Sequence, residues 1–72
     1  MLFRSSVTDA GVGALAARAA VLGAGLNVKI NASGLEDKVF ANDIIEQCKQ
    51  VEKMAMEKEK QIMDMVNSKI LL

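Results

Sequence analysis

The sequence predicts an all-α fold: a helical hairpin with a short, small-residue-rich N-terminal helix and a long C-terminal amphipathic helix. Three observations predict it. The 72 residues include no Pro. The second half places apolar residues at alternating steps of three and four, the signature of a helix with one buried stripe. The first half repeats apolar residues at helical spacing and then meets two close glycines, Gly23 and Gly25.

The first helix is predicted from about Val7 to Leu22. Val12, Leu15, Ala16, Ala19 and Leu22 share a face. Ser6 can cap a free N–H, and Asp9 meets the positive end of the helix dipole. Gly11 and Gly13 each cost roughly 1 kcal/mol against Ala in a helix interior. Gly23 and Gly25 are expected to end the helix. Residues 23–33 are expected to form a connector. Within it Asn27-Val28-Lys29-Ile30-Asn31 alternates polar and apolar but is short for a strand.

The second helix is predicted over about 34–68. Ser33-Gly34-Leu35-Glu36 matches a capping box, in which Ser bonds a backbone N–H and Glu reaches back. The predicted seam is Ala41, Ile44, Cys48, Val51, Ala55, Lys58, Ile62 and Met65. The opposite row is Asp43, Glu46, Gln50, Lys53, Glu57, Lys60, Asp64 and Asn67, all polar, and it would face solvent or a wet lumen. Phe40, Ile45, Met54, Met56, Met63 and Val66 widen the apolar side beyond a two-stranded seam. Cys48 reads as a small buried hydrophobe and Lys58 as a side chain that snorkels past its neighbours.

Composition narrows the function. The chain has no His and one Cys, so it can build neither a Cys/His zinc site, nor nucleophile–His catalysis, nor an internal disulfide. No metal, cofactor or catalytic residue is expected, and the chain is expected not to be an enzyme. The 9 basic and 9 acidic residues cancel, which argues against nucleic acid as a partner. The charge is segregated: the first 34 residues are net positive and the remainder net negative.

The predicted lengths carry the main expectation. A first helix of about 16 residues is roughly 24 Å long and a second of about 34 is roughly 50 Å. The first would cover only half of the second, and a chain this short has no staple to compensate. Residues 1–72 are therefore expected to form a single helical-hairpin subunit that associates with others. The expected self-assembly interface is Val12, Leu15, Ala19 and Leu22 from the first helix. From the second it is Phe40, Ile44, Ile45, Cys48, Val51, Met54, Ala55, Ile62, Met63, Met65 and Val66. A membrane span is not expected, because the apolar stretch is about 17 residues against about 20 needed. Arg18 also sits at its centre. Met-Leu-Phe-Arg-Ser-Ser at the N-terminus fits a mitochondrial-type segment or, uncleaved, an export signal.

The segment Asp37-Lys38-Val39-Phe40, with Glu52-Lys53-Met54 and Met63-Asp64-Met65-Val66-Asn67, resembles the C-terminal helix of type III secretion pilins and, more distantly, of needle subunits. The resemblance implies a subunit that polymerises into a hollow extracellular filament on a bacterial surface. That filament is a conduit for exported proteins and implies partners in the secretion apparatus and a role in virulence. The alternatives are a small accessory helical subunit of a large complex, such as a mitochondrial one, and a coiled-coil oligomeric adaptor.

Overall fold

The computed structural model describes residues 2–70, with side-chain surroundings from residue 6 onward. It is all-α: helix α1 spans Leu2–Ser33 and helix α2 spans Lys38–Ile70. The two run antiparallel as a hairpin with Cα extents of 55 × 15 × 11 Å. The helices have 32 and 33 residues, so α1 lies along the whole of α2. This corrects the expected coverage of half.

The predicted end of the first helix at Leu22 and the connector over 23–33 are corrected as well, since both lie inside α1. The glycines explain the difference. No Gly takes a positive φ among the described residues, so none acts as a stop. Gly11 and Gly25 face α2 instead, and their missing side chains make room for it. A Cβ on Gly25 would lie 2.7 Å from Glu52 Oε2, and one on Gly11 would lie 3.4 Å from Met63 Sδ. Packing against α2 offsets the propensity cost that reading α1 alone would count against it.

The turn is shorter than expected. Gly34 N–H donates to the Asn31 carbonyl at 3.2 Å and Leu35 N–H to the Ala32 carbonyl at 3.0 Å. Asp37 caps α2, its Oδ1 accepting from Phe40 N–H at 3.0 Å. The capping box expected at Ser33 does not form. Ser33 Oγ turns back onto the Ile30 carbonyl, and the Lys38 ammonium reaches the Ser33 carbonyl at 3.1 Å, satisfying the end of α1.

Gly11 and Gly25 are two heptads apart on α1, and the residues they meet, Val66 and Glu52, are two heptads apart on α2. The hairpin is thus a regular antiparallel coiled coil. The α1 side of the seam steps through Gly11, Ala14, Arg18, Val21, Gly25 and Ala32. The α2 side steps through Ala41, Ile45, Cys48, Glu52, Ala55, Glu59, Ile62 and Val66. The predicted seam therefore slips by one residue at four places, the mildest being Ile45 in place of Ile44, both half-buried. Val51, Lys58 and Met65 are exposed, while Glu52, Glu59 and Val66 point at α1. Lys29 is the cause at the first of these, because it holds Glu52 inward across the seam.

Little is enclosed. The buried hydrophobic residues among those described are Ala14, Ala32, Ala41 and Val66. The accessible surface is 5640 Å², whereas a compact protein of 7.7 kDa would show about 4,300 Å². The radius of gyration is 16.5 Å, against about 11 Å for a compact domain of this length.

Candidate functional site

The most structured polar feature lies mid-seam. Lys29 of α1 grips Glu52 of α2 through both carboxylate oxygens, at 2.7 Å to Oε1 and 3.0 Å to Oε2. The Glu52 side chain is 10% exposed and Lys29 34%, so the charge is shielded from one side only. Gly25 forms the floor beneath Glu52, and the Cys48 thiol donates to the Gly25 carbonyl at 3.7 Å. The hydrogen bond to Glu52 raises the Lys29 pKa above its usual 10.5; attraction to Glu52 and Cys48 adds to this, and partial burial opposes it.

Beside this pair opens a groove of about 310 Å³. Val21, Ala24 and Val28 form its α1 wall and Ile44 and Val51 its α2 wall, with Gln47 at the rim. It exists because Ala24 and Gly25 of α1 are too small to fill the space beside Ile44 and Val51.

The residues predicted for association divide into two sets. Val66 is buried, and Leu22, Ile44, Ile45, Cys48, Ala55, Ile62 and Met63 are half-buried along the hairpin's own seam and flanks. Val12, Leu15, Ala19, Phe40, Val51, Met54 and Met65 are exposed, with Val12 at 66% and Met54 at 67%. All eight residues of the polar row, Asp43 to Asn67, are exposed on the side of α2 away from α1. Within that row Lys60 donates to Asp64 at 2.8 Å.

Sequence reasoning missed Gly25, Lys29 and Glu52, which make the mid-seam site. The available signal was the seven-residue spacing of Gly11, Arg18, Gly25 and Ala32, which continues a helix through the glycines. The expectation against a membrane span loses its length argument. Ser6–Ser33, 28 residues, is long and apolar enough to cross a bilayer by length and composition. Arg18 within it and the packing of α1 along α2 remain as arguments against a span.

A family model described as formiminotransferase-cyclodeaminase matches residues 2–50. No curated protein and no solved structure matches the chain. The match covers all of α1, the turn and the start of α2. It overturns the resemblance to type III secretion pilins and needle subunits. With that resemblance fall the extracellular filament, the export conduit, the bacterial-surface location and the link to virulence. The physical reason is plain: the pilin resemblance rested on the heptads, Met and Lys of the second helix, which any antiparallel hairpin with an apolar flank shares. The family match instead takes in the whole of α1.

Proposed function

Because the chain belongs to the formiminotransferase-cyclodeaminase family, we propose that it is a helical packing unit of a protein of that kind and does no chemistry by itself. One observation carries this: the hairpin leaves its apolar surface uncovered. Val12, Leu26, Ile30, Val39 and Met54 are each at least 66% exposed. They lie on several sides of the molecule, and α1 is apolar nearly all round, as a helix is when neighbours surround it. Large exposed apolar patches mark surfaces that other structure covers.

The mid-seam pair supports the same view. Glu52 is the buried carboxylate among the described residues, and both of its oxygens are taken by Lys29. Its work is to fix the register of the two helices, a role well attested for single polar groups in coiled-coil seams.

Two measurements test the proposal. The chain alone, given a formimino-bearing substrate of a cyclising deaminase, should release no ammonia above a protein-free blank. Release proportional to chain concentration overturns the non-catalytic part. Thermal unfolding followed by circular dichroism should move to higher temperature as chain concentration rises, because association covers the exposed faces. A folded monomer whose unfolding ignores concentration overturns the packing part.

A further inference from the structure

We propose that α2 has two seats against α1, related by a turn of about 50° about its own axis, and that the Lys29–Glu52 pair is the latch that holds it in the one observed. The inference goes beyond the packing-unit reading, because both seats belong to a single chain.

The first argument is that α2 carries two stripes with a common pivot. Ala41, Cys48, Ala55 and Ile62 belong to both. In the observed seat Ile45, Glu52, Glu59 and Val66 complete the stripe that faces α1. Ile44, Val51, Lys58 and Met65, each one residue earlier, flank it. One residue is about 100° of a helix, so exchanging the two sets moves the midline of the buried face by about half of that. Hydropathy favours the exchange. Met65 would replace Val66 at little net change, and Val51, which is 53% exposed, would replace the buried Glu52.

Charge opposes it. Lys29 holds Glu52 through both carboxylate oxygens, at 2.7 and 3.0 Å. Gly25 meets Glu52 and Gly11 meets Val66, so Arg18, midway between the glycines, stands level with Glu59. Both of these are half-buried. In the observed seat Lys29 and Arg18 therefore face acidic residues. In the turned seat Glu52 would leave Lys29, and Arg18 would face Lys58.

The structure also leaves room on the side to which α2 would turn. The groove of about 310 Å³ lies between Val21, Ala24 and Val28 of α1 and Ile44 and Val51 of α2, and the turn carries Val51 into it. Gly11, Ala14, Gly25 and Ala32 in the α1 seam are too small to key α2 into one orientation. Near the interhelical turn Ile44 and Ile45 are both half-buried, the condition of a helix between its two seats. The latch thus controls what the hairpin presents. Closed, it offers an apolar flank of Val51 and Met65; open, it offers the carboxylates of Glu52 and Glu59.

The test uses the full chain with Cys48→Ala, so that only introduced thiols react. Gly11→Cys is combined with Val66→Cys to report the observed seat and, separately, with Met65→Cys to report the turned one. A Cβ on Gly11 lies 3.5 Å from Val66 Cγ1, within reach of a disulfide, whereas Met65 is 57% exposed. Mild oxidation at low chain concentration is followed by counting linked products of single-chain mass, 7.7 kDa. With the latch intact the Val66 reporter should link and the Met65 reporter far less. Lys29→Met leaves Glu52 uncompensated in the observed seat. It should raise the ratio of Met65 to Val66 linkage by about tenfold or more, and comparing latch variants cancels any bias of the reporters. Lys29→Glu with Glu52→Lys should restore the original ratio. Should Lys29→Met lose its helicity by circular dichroism, the isosteric Glu52→Gln takes its place, with a rise in the same ratio expected. A folded latch variant whose ratio is unchanged, or an intact latch that links both reporters alike, overturns the proposal. Association between chains does not enter these single-chain products, so the packing-unit reading stands or falls apart from them.

Discussion

The paired substitutions Gly25→Ala and Gly23→Ala separate packing from propensity. Both glycines sit inside α1, and in a helix interior Ala is about 1 kcal/mol better than Gly. Nothing lies within 4 Å of a Cβ built on Gly23, so Gly23→Ala should collect that gain. At Gly25 the added Cβ would stand 2.7 Å from Glu52 Oε2, 3.1 Å from Glu52 Cδ and 3.1 Å from Cys48 Sγ. The Glu52 carboxylate can swing away only by leaving Lys29, and overpacking of this kind costs about 1–3 kcal/mol. Gly25→Ala should therefore be less stable than Gly23→Ala by about 1–3 kcal/mol, the overpacking cost at equal propensity gain. For a domain of this size each kcal/mol moves the midpoint by about 4–8 °C. The assay is thermal unfolding by circular dichroism at one fixed chain concentration. Adding Glu52→Ala to Gly25→Ala should recover part of the loss, a coupling that a double-mutant cycle reads directly. Equal stabilisation by the two glycine substitutions would refute the close approach of the helices at Gly25.

Four further outcomes are expected. The Lys29–Glu52 pair should stabilise the fold at neutral pH and up to the usual lysine value of 10.5, and be lost as pH rises through the raised folded-state pKa of Lys29; the stability difference between the native chain and Lys29→Met, followed by urea unfolding from pH 8 to 12, should shrink over that range, and a constant difference would contradict the pair. Asp37→Ala removes the α2 cap and should cost about 1 kcal/mol, whereas Ser33→Ala, at the site of the unformed capping box, should cost less in the same denaturation series. Val66→Ala, at a residue only 5% exposed, should cost about 1–3 kcal/mol, read from the urea midpoint. Lys53→Ala in the outward polar row should stay within about 0.5 kcal/mol by the same measure, as expected of a solvated face.

The hairpin was legible in the sequence because its strongest cue is local. A Pro-free run stepping by threes and fours from Ala41 to Met65 can only be a long helix with one buried stripe. The length of α1 was not legible, because Gly23 and Gly25 look the same in sequence whether they end a helix or admit a neighbour. The contact that decides, Glu52 and Cys48 against Gly25, is 23 or more residues away along the chain. The seam slipped for a related reason. Hydropathy prefers Val51 to Glu52, but the Lys29 ammonium across the seam makes Glu52 the inward residue. The polar row from Asp43 to Asn67 is exposed in the hairpin, a position in which charged side chains require no protein partner. The family could not be read from α2, whose pattern is shared by unrelated hairpins. The match runs from α1 through the turn to residue 50, and the runs of Ala and Gly in α1 carry little visible chemistry.

The central claim is that this hairpin is complete only when its apolar faces are covered. Sedimentation equilibrium across a wide range of chain concentrations, with helicity recorded on the same samples, tests it most directly. The account predicts a mass that climbs above the 7.7 kDa of one chain together with a rise in helicity. A single species of one-chain mass, fully helical at every concentration, would contradict it.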